Sequence, residues 1–408
     1  TETINGGSGS DSLSISYTGV SDLGDLSPIS GSSSTGYYTL TDANGGTIKF
    51  QNIETLIVGD YTYTLNTSNK TYWNSTEKVV YMYALDSSGS STSSSNITGL
   101  SGLSASDNLT VQGSAQGDTM NLNIDRSSEL TGNLTLNMGA GDDSFNSAKL
   151  KNGDSVDMGA GDDTVWLMLT GSNGTPTIAN ANLTKFDGGA GTDTLYTEES
   201  GTNTTELILN DTFGATNFEN LIGTGGAETI KGDANNNILG GGGGNDILYG
   251  YGGDDTLYGN GKRHNSDYGS DDQNVTGNNT LYGGAGNDTL VGGYHDDILD
   301  GGTGTDTLTG GNGVDTFVIR TGDGTTTLAN ANVITDFSDG TDLIGLDNNL
   351  AFSQLTIEQG TGAYASHTLV KVTATGEYLL IIQNTTASNI TDLDFTDVDI
   401  TDSSKPLE

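Results

Sequence analysis

The chain has 408 residues, of which 53 are acidic and 13 basic, so its formal net charge is −40. This charge excludes nucleic acid as a partner, because phosphates would be repelled, and the absence of cysteine excludes disulfides and thiolate metal sites. Only 32% of the residues are hydrophobic, which argues against one large central core, and no apolar run approaches the roughly 20 residues that cross a bilayer.

The acidic residues are mainly aspartate, with 41 Asp against 12 Glu. A charged surface that only faces solvent would use both residues, whereas the shorter Asp tolerates turns and reaches a metal held against its own backbone. The excess therefore indicates that cations neutralise much of the charge. The alternative is an acidic chain that is disordered or adapted to high salt.

Residues 1–112 form an irregular Ser/Thr-rich region for which we predict β structure. It begins with the nonapeptide Gly6–Ser14, GGSGSDSLS, whose Asp11 is a candidate metal ligand. Two segments alternate apolar and polar residues, 46–58 and 78–85, and each predicts a strand.

Residues 113–222 repeat a similar nonapeptide at wider spacing, which predicts a β-solenoid with long coils and sparse calcium-binding turns. The copies are GSAQGDTMN, MGAGDDSFN, MGAGDDTVW and GGAGTDTLY, beginning at positions 113, 138, 158 and 188. Their sixth position carries the candidate ligands Asp143, Asp163 and Asp193 in the last three copies. Because the separations are unequal, turns that stack without metal remain an alternative here.

Residues 223–318 hold nine nonapeptides in strict register, interrupted at 259–273. The last four, GGAGNDTLV, GGYHDDILD, GGTGTDTLT and GGNGVDTFV, follow one another without a gap from 283 to 318. Their template is Gly-Gly-x-Gly-x-Asp-x-U-x, in which U is a large apolar residue. One inward side chain at position eight, between outward neighbours, satisfies the two-residue period of a strand. The predicted inward residues are Ile230, Ile238, Leu248, Leu257, Leu281, Leu290, Leu299, Leu308 and Phe317.

Residues 319–408 leave the repeat and predict a C-terminal β cap with a secretion-signal region. The segments ITDF and GTDLIGL, at 334–337 and 340–346, begin the cap. Two strands are predicted after them, at 367–374 and 378–383, around a Thr-Gly turn.

The nonapeptide combines the residue types that a calcium site needs. Its glycines supply positive φ angles and let the backbone close around an ion, and the Asp at position six supplies a hard anionic oxygen. Carbonyl groups of the turn supply further oxygen ligands. The candidate ligands in the regular array are Asp246, Asp255, Asn279, Asp288, Asp297, Asp306 and Asp315.

The tandem template resembles the repeat of the RTX proteins. The resemblance is close for residues 223–346, patchy for 113–222 and thin for 1–112. It implies an all-β fold, a right-handed parallel β-roll or β-solenoid that binds several Ca²⁺ ions, with an irregular N-terminal solenoid or β region and a C-terminal β cap. It also implies that two nonapeptides make one coil, so that turns eighteen residues apart stack with an ion between them.

Carried onto this chain, that geometry pairs Asp288 with Asp306 and Asp297 with Asp315. Three further pairs depart from the family pattern and are expected to be weak or empty sites: Asn279 with Asp297, Glu228 with Asp246, and Asn237 with Asp255. A Gly/Asn/Asp turn array that stacks without metal is the alternative, above all for residues 1–222.

No catalytic pattern accompanies the repeats, and the chain is not expected to be an enzyme. It holds three His and three Arg, no His-Glu-x-x-His zinc motif and no Gly-x-Ser-x-Gly elbow. The basic cluster at 262–264, Lys-Arg-His, is either a contact loop or a tolerated insertion. Outward Thr and Tyr side chains, among them Tyr249, Tyr258 and Tyr282, either contact a polysaccharide, ice or a neighbouring molecule or simply reflect strand propensity.

The resemblance implies a secreted, extracellular protein exported by type I secretion. We expect a calcium-binding structural component of the bacterial cell surface, such as a surface layer, matrix or adhesin, that folds and assembles on binding Ca²⁺. Self-association or a cell-surface polysaccharide would supply its partners besides calcium. One alternative is the C-terminal calcium-binding and secretion module of a larger RTX toxin or exported enzyme, and another is a carbohydrate- or ice-binding solenoid.

Overall fold

A computed structural model of the chain shows an all-β protein. The residues that the structure describes are 2–16, 20, 27–32, 37–41, 44–58, 60–66, 71–82, 100, 102–113, 117–122, 130–147, 150–169, 183–199, 206–211, 214–260 and 277–398. The basic cluster at 262–264 lies outside them, as does the end of the predicted secretion-signal region. The described residues divide into two compact units, the first formed by those up to 196 with 210–218, the second by those in 197–209 and 219–398.

Short strands make up the first half of the chain. They are β1 (Glu2–Asn5), β2 (Ser12–Ile15), β3 (Ser27–Ser32), β4 (Tyr37–Thr41), β5 (Thr47–Gln51), β6 (Thr55–Val58), β7 (Tyr61–Asn66), β8 (Thr71–Asn74), β9 (Val79–Met82), β10 (Leu109–Gln112), β11 (Thr119–Leu122), β12 (Leu134–Asn137), β13 (Ser144–Ser147), β14 (Ser155–Asp157), β15 (Thr164–Leu169), β16 (Lys185–Asp187) and β17 (Thr194–Glu199).

In the first unit an antiparallel part precedes parallel coils. Strands β3, β4 and β5 pair antiparallel, and so do β6, β7, β8 and β9. From β9 onward the pairing is parallel, in one row β9–β10–β12–β14–β16 and a second row β11–β13–β15. Each complete coil gives one strand to each row, which is the arrangement of a β-solenoid with long coils.

The predicted strand 46–58 is two strands, because the chain turns between β5 and β6. Asn52 lies in this turn with a φ of +52°, a left-handed conformation that Asn tolerates. Strand β5 pairs with β1 and β6 pairs with β2. The turn between β5 and β6 is therefore the next layer on the opening nonapeptide, and the Gly6 N–H donates to the carbonyl of Gln51.

The second half of the chain continues with short strands. They are β18 (Glu206–Ile208), β19 (Asn220–Ile222), β20 (Thr229–Lys231), β21 (Ile238–Gly240), β22 (Ile247–Gly252), β23 (Thr256–Tyr258), β24 (Thr280–Ala285), β25 (Thr289–Tyr294), β26 (Ile298–Thr303), β27 (Thr307–Asn312), β28 (Thr316–Ile319), β29 (Asn332–Ile334), β30 (Leu343–Leu346), β31 (Leu355–Gln359), β32 (Thr368–Val372), β33 (Tyr378–Ile382) and β34 (Phe395–Asp397). Short 3₁₀ helices lie at Leu328–Asn330, Phe352–Gln354, Gly362–Tyr364 and Asp392–Asp394. Within the described ranges no helix has the length and apolar character needed to span a membrane.

The second unit is a parallel β-roll closed by a cap. One row runs β18–β20–β22–β24–β26–β28–β30–β34, with every neighbouring pair parallel. The other row runs β19–β21–β23–β25–β27–β29–β33, also parallel. Strands β33, β32 and β31 then pair antiparallel. The predicted parallel β-roll with a C-terminal β cap is confirmed.

One apolar side chain per strand fills the interior of the roll. Eight of the nine predicted inward residues are 0% exposed. The prediction for Ile238 was wrong: this side chain is only partly buried, and its neighbour Leu239 is 0% exposed. The reason lies in the period of the strand. Leu239, which is position eight of its repeat, pairs with Leu221 and Leu257 in the adjacent coils, and a neighbour at position seven must face outward.

Candidate metal centre

Each edge of the roll is a stack of tight turns that require glycine. Gly286 and Gly304 have φ angles of +146° and +138°, a region that L side chains rarely adopt. A Cβ atom on Gly304 would lie 1.7 Å from the carbonyl oxygen of Gly286 in the preceding coil. Consecutive turns therefore pack backbone against backbone, with their carbonyl groups gathered at the edge.

The side chains at position six connect these stacked turns. The N–H of Asp288 donates to Oδ1 of Asp306 at 2.9 Å, and the N–H of Asp297 donates to Oδ1 of Asp315 at 3.0 Å. The three pairs expected to be weak make the same hydrogen bond: Asn279 to Asp297 at 2.7 Å, Glu228 to Asp246 at 2.8 Å, and Asn237 to Asp255 at 2.8 Å. All five predicted pairs are neighbours in the structure, and metal binding at them stays a prediction.

Two further pairs join residues on either side of the interruption of the repeat. The N–H of Asp255 donates to Oδ1 of Asp288 at 2.8 Å, and the N–H of Asp246 donates to Oδ1 of Asn279 at 3.0 Å. Each pair is 33 residues apart, so the eighteen-residue rule did not predict it. The two turns nevertheless stack as directly as the others do.

In this coil the nonapeptide template stops and resumes within one turn. Gly259 occupies position one, since a Cβ atom on it would lie 2.6 Å from Nδ2 of Asn279 at position six. Asn260 follows at position two, and Gly277 resumes the template at position four. The insertion is therefore between Asn260 and Gly277, whereas the sequence had indicated 259–273.

The pairs form two rows, one along each edge of the roll. One row consists of Asn237, Asp255, Asp288, Asp306 and Asn332, and the other of Glu228, Asp246, Asn279, Asp297, Asp315 and Asp342. The last member of each row belongs to the cap and was not singled out from the sequence. Asn332 and Asp342 follow their partners by 26 and 27 residues.

One carboxylate oxygen of each position-six aspartate in the regular array is buried without a hydrogen-bond partner. The atoms are Oδ2 of Asp246, Asp255, Asp288, Asp297, Asp306 and Asp315. A buried charged group left without a partner costs more than the roughly 1–3 kcal/mol of a neutral one. Oδ2 of Asp288 lies against the α-carbon of Gly283, where a Cβ atom would be 2.4 Å away. The turn thus holds a hard anionic donor that lacks a partner, and a cation would supply one.

Burial raises the pKa of these aspartates. The pKa is raised to about 8 for Asp246 and Asp297, about 7 for Asp255 and Asp306, and about 6 for Asp288 and Asp315. Burial is the largest cause, backbone N–H donors oppose it, and nearby carboxylates add to it, as Asp315 does for Asp297. Two facing carboxylates at neutral pH therefore need either a proton or a cation between them.

Residues that depart from the template make hydrogen bonds of their own. Glu228 accepts hydrogen bonds from the N–H and the hydroxyl of Thr224 in the same turn. Asn279 donates from Nδ2 to the carbonyl of Gly277 at 3.2 Å, and Asn237 donates to a carbonyl of the preceding coil at 3.1 Å. These bonds occupy groups that correspond to the unpartnered oxygens of the aspartate turns, which gives a physical basis for the expected weakness of these sites.

The first unit carries one such row. The N–H of Asp118 donates to Asp143, that of Asp143 to Asp163, and that of Asp163 to Asp193, at 2.6, 2.7 and 2.7 Å. Oδ2 of Asp143 and of Asp163 is buried without a hydrogen-bond partner, and burial raises their pKa to about 8 and about 7. The separations are 25, 20 and 30 residues, so the turn is preserved although the coil length changes.

At the opposite edge of the first unit, side chains of the protein form hydrogen bonds with the backbone of neighbouring turns. Asp154 is buried there, but its Oδ1 accepts the N–H of Leu134 at 2.8 Å and its Oδ2 accepts the N–H of Lys151 at 2.9 Å. The ammonium groups of Lys151 and Lys78 each donate to a backbone carbonyl of the adjacent coil. Both carboxylate oxygens of Asp154 thus accept a backbone N–H, and neither is left to bind a metal.

Asp11 pairs with a residue that was not singled out from the sequence. Its N–H donates to Oε2 of Glu54 at 2.8 Å, 43 residues away, and its own Oδ2 is buried without a hydrogen-bond partner. Glu54 thus holds position six of the next turn. The segment ETL at 54–56 could have indicated this, because it matches ETI at 228–230 in the regular array.

The donor set fits a hard divalent cation. It combines carboxylates from two stacked turns with the carbonyl groups of glycine-rich backbone, and a set made only of oxygen suits Ca²⁺. Nowhere in the described residues do three or more His, Cys, Asp or Glu side chains converge as a metal-holding group. Backbone carbonyls would therefore complete the coordination beside two acidic side chains.

Comparison with known proteins agrees with this chemistry. The model of the RTX calcium-binding nonapeptide repeat (4 copies) matches residues 222–257, 275–308 and 291–325. Residues 222–257 and 275–325 are therefore RTX calcium-binding repeats, as the sequence indicated. No curated protein matches the chain. Among solved structures, the extracellular lipase LipA from Serratia marcescens matches with 15% identity over 77% of this chain and 44% of the lipase, at a TM-score of 0.22, too low a likeness to bear on function.

Proposed function

We propose that the chain is a secreted calcium-binding structural protein of the bacterial cell surface, which folds and assembles on binding Ca²⁺. The observation that carries the proposal is the row of buried aspartate oxygens without hydrogen-bond partners, which recurs in both units. Because such oxygens occur in coil after coil, the metal would complete the fold itself rather than one local centre. The finding that residues 222–257 and 275–325 are RTX calcium-binding repeats supports this.

Calcium would act as a condition for folding. The chain contains 62 Gly, and ordering its backbone costs about 1–2 kcal/mol per residue, while each strand of the roll buries little more than one large apolar side chain. Without cations the paired carboxylates also repel one another at reduced dielectric. We expect a chain that stays unfolded at the low calcium concentration inside a cell and folds outside, which suits export by type I secretion.

A structural role also agrees with the settings of the described histidines. His295 is exposed in a turn with a φ of +75°, and Nδ1 of His367 accepts the N–H of Asn384 at 3.1 Å. The second of these rings is thus engaged in holding the cap together. We therefore favour a role in binding and assembly over catalysis.

The outward tyrosines favour contact with protein over contact with a polysaccharide. Tyr249 and Tyr282 stack with ring centroids 5.0 Å apart and planes inclined by 10°, and Trp166 stacks on Tyr196 at 4.3 Å. Rings that cover one another expose their edges, whereas sugar rings pack on exposed aromatic faces. A second copy of the chain is the partner that we propose for these surfaces.

Electron microscopy during a calcium titration tests the proposal. The chain, stripped with EGTA and then brought to millimolar Ca²⁺, is expected to gain β structure in far-UV circular dichroism and to form ordered sheets or filaments. Mg²⁺ at equal ionic strength is the control and is expected to do neither. Identical dichroism spectra in EGTA and Ca²⁺ would refute calcium-dependent folding, and a calcium-loaded chain that stays monomeric at every concentration would refute the assembly role.

A further inference from the structure

The turns of the roll contain a second row of hydrogen bonds, made by the residues at position five of the template. The N–H of Asn287 donates to Oδ1 of Asp254 at 2.8 Å, and the N–H of Thr305 donates to Oδ1 of Asn287 at 3.1 Å. These three residues stand at position five of successive turns on one edge. Bonds of the same kind join the N–H groups of Asp254, Asn278 and Val314 to Oδ1 of Asn236, Asn245 and Asp296, at 2.8, 3.0 and 2.8 Å.

The position-five bonds run in the opposite direction to the position-six bonds. At position six the N–H of the earlier turn donates to the side chain of the later turn, as Asp288 does to Asp306. At position five the N–H of the later turn donates to the side chain of the earlier turn, as Thr305 does to Asn287. Two adjacent residues of each turn therefore form reciprocal bonds with the next turn. Such a pair of bonds fixes both the separation of the turns and their alignment.

The first unit contains the same reciprocal bonds. The N–H of Asp162 donates to Oδ1 of Asp142 at 3.0 Å, and the N–H of Thr192 donates to Oδ1 of Asp162 at 2.9 Å. They lie beside the position-six bonds of Asp143 and Asp163. Because these coils are 20 and 30 residues long, the position-five bond belongs to the turn and does not depend on the length of the coil.

Position five differs from position six in burial and in charge. The position-six aspartates are buried and keep one oxygen without a hydrogen-bond partner, whereas Asp254, Asn287 and Asp296 are exposed. In the regular array each position-five bond joins two residues of which at least one is neutral. Asn287 in addition donates from Nδ2 to Oδ1 of Asp254 at 3.1 Å. The position-five bonds of the array therefore need no cation, while the position-six carboxylates beside them do.

We propose that the Asn and Asp side chains at position five are positioning residues for the calcium sites. They bind backbone rather than the ion, and they hold successive turns so that the position-six carboxylates on the adjacent residues face one cation together. The role rests on the proposed function, because it requires calcium at position six. Side chains that orient metal ligands without binding the metal change its affinity about 10–100-fold when they are removed. The residues assigned this role in the array are Asn236, Asn245, Asp254, Asn287 and Asp296.

Calcium binding by variants of Asn287 tests the role. Asn287→Ala removes the acceptor of the Thr305 N–H and leaves Asp288 and Asp306 in place. We expect equilibrium dialysis to give the wild-type number of ions, and the calcium midpoint of far-UV circular dichroism to be about tenfold higher. Asn287→Asp keeps an acceptor, like that of Asp162 in the first unit, and should restore the wild-type midpoint.

Asn278→Ala is the matched control. Asn278 is also an exposed asparagine at position five. In the described part of the chain it forms a hydrogen bond through its N–H but none through its side chain. Its replacement should therefore leave the calcium midpoint unchanged, and a rise equal to that of Asn287→Ala would overturn the positioning role.

The kinetics of calcium release distinguish positioning from a general gain of stability. Stopped-flow mixing with a fluorescent chelator counts the ions that leave in each phase. With Asn287→Ala, the ion between Asp288 and Asp306 should leave in a new fast phase, while the other ions keep their wild-type rates. A variant that only destabilised the fold would release every ion faster, and that result would contradict the proposal.

A gain of the same hydrogen bond provides a second variant. Ala227 stands at position five with no side-chain acceptor, in the turn that precedes Asn245. Ala227→Asn offers an acceptor to the Asn245 N–H and should lower the calcium midpoint about fivefold. An unchanged midpoint with Asn287→Ala, or with Ala227→Asn where the first variant does not fold, would overturn the positioning role. A wild type that binds no calcium would instead refute the proposed function.

Discussion

The two units close a stack of parallel coils in different ways. The second unit has a row of position-six side chains on each edge, and aspartate oxygens without hydrogen-bond partners occur in both rows. Among its described residues the first unit has such a row on one edge, while Asp154, Lys78 and Lys151 make hydrogen bonds to the backbone at its other edge. The difference indicates that dependence on calcium belongs to the individual edge rather than to the fold.

Coil length explains why the edges differ. A coil of eighteen residues leaves room only for two short strands and two tight turns, so both turns must be glycine-rich and carry the position-six carboxylate. In the first unit the row of Asp118, Asp143, Asp163 and Asp193 keeps its tight turns while the separations reach 30 residues. At the other edge Asp154 and Lys151 bind backbone groups of the adjacent coil without a metal.

Removal of calcium is the change from which we expect the largest effect. In EGTA the second unit should lose its β structure, because both of its edges then hold facing carboxylates. The first unit should persist to lower free calcium, because one of its edges needs none. Both tryptophans of the chain, Trp73 and Trp166, lie in the first unit. We therefore expect the midpoint of tryptophan emission at about tenfold lower free Ca²⁺ than that of far-UV circular dichroism, a difference of about 1.4 kcal/mol.

Coinciding transitions in this calcium titration would contradict the expected difference between the units. If tryptophan emission and circular dichroism superimpose over the whole titration, the chain folds as one calcium-dependent body and the two edges of the first unit do not differ. A titration with Mg²⁺ controls for screening of the net charge, since screening acts on both units alike.

A methyl group in the stacked turns should be the next most damaging change, and it should damage both units. Gly304→Ala places Cβ 1.7 Å from the Gly286 carbonyl, and Gly191→Ala places it 1.9 Å from the Gly161 carbonyl. We expect each variant to lose more than about 3 kcal/mol of unfolding free energy in Ca²⁺. The measurement is urea unfolding, followed by dichroism for the first variant and tryptophan emission for the second.

Gly362→Ala is the matched control for these variants. Gly362 also has a positive φ, +61°, but a Cβ atom there would meet nothing within 4 Å, so the expected cost is only about 1 kcal/mol. Equal losses for Gly304→Ala and Gly362→Ala would show that backbone strain, and not close stacking, determines the need for glycine.

The regular part of the site could be predicted from the sequence, because its geometry is local. Turns spaced by eighteen residues stack in register, and this is enough to pair Asp288 with Asp306 and Asp297 with Asp315. The inward side chains follow from the two-residue period of a strand. The prediction that Ile238 faces the interior was wrong because two apolar residues are adjacent there. Only the position within the repeat shows that Leu239 is the inward residue.

The rest of the site depends on which turns become neighbours, and local patterns do not determine that. Asp11 and Glu54 are 43 residues apart, and Asp255 and Asp288 are 33 residues apart, since inserted residues lengthen the chain without changing the stack. The ion pairs that Arg320 forms with three aspartates connect a repeat with the cap and follow no periodic pattern. Recognising such pairs requires the three-dimensional structure.

Substitution of two buried aspartates of the first unit distinguishes a role in metal binding from a role in ordinary hydrogen bonding. Asp163→Asn should weaken calcium binding by the first unit about tenfold, because it removes a carboxylate from the row. In EGTA the same variant should be at least as stable as the wild type, because it relieves repulsion between facing charges. Asp154→Asn should instead cost about 1–3 kcal/mol in both conditions, because a backbone N–H loses its acceptor.

Urea unfolding followed by tryptophan emission, with and without calcium, checks both variants. The two-edge interpretation of the first unit would be wrong if Asp154→Asn were destabilising only in Ca²⁺. It would also be wrong if Asp163→Asn lost as much stability in EGTA as in Ca²⁺.

Acid should partly replace calcium in the metal-free chain. Burial raises the pKa of the row aspartates to about 6 to 8 in the folded state, whereas an unfolded Asp titrates near 3.9. The folded state therefore binds more protons, and its stability is greatest at low pH and is lost as the pH rises through about 6 to 8. In EGTA, lowering the pH from 8 to 5.5 should increase the dichroism of β structure.

Calcium should reverse the sign of this pH effect. Protons compete with the ion for the same carboxylates, so the calcium-loaded chain should bind its ions more weakly at pH 5.5 than at pH 8. A metal-free chain whose β content does not change, or falls, on acidification would contradict the assignment of the unpartnered oxygens to the folded edges.

Lys151→Met should have the smallest effect and is the most specific test of the edge without unpartnered carboxylates. The variant removes the ammonium that donates to the carbonyl of the adjacent coil but leaves the Lys151 N–H that Asp154 accepts. The group is exposed, so we expect a loss of only about 0.5–1 kcal/mol, equal in Ca²⁺ and EGTA because no row aspartate is involved. Lys49→Met, exposed on β5, should change stability by less than about 0.5 kcal/mol. A Lys151→Met loss seen only in Ca²⁺ would mean that this edge also depends on the metal, and calcium dependence would then be a property of the whole coil.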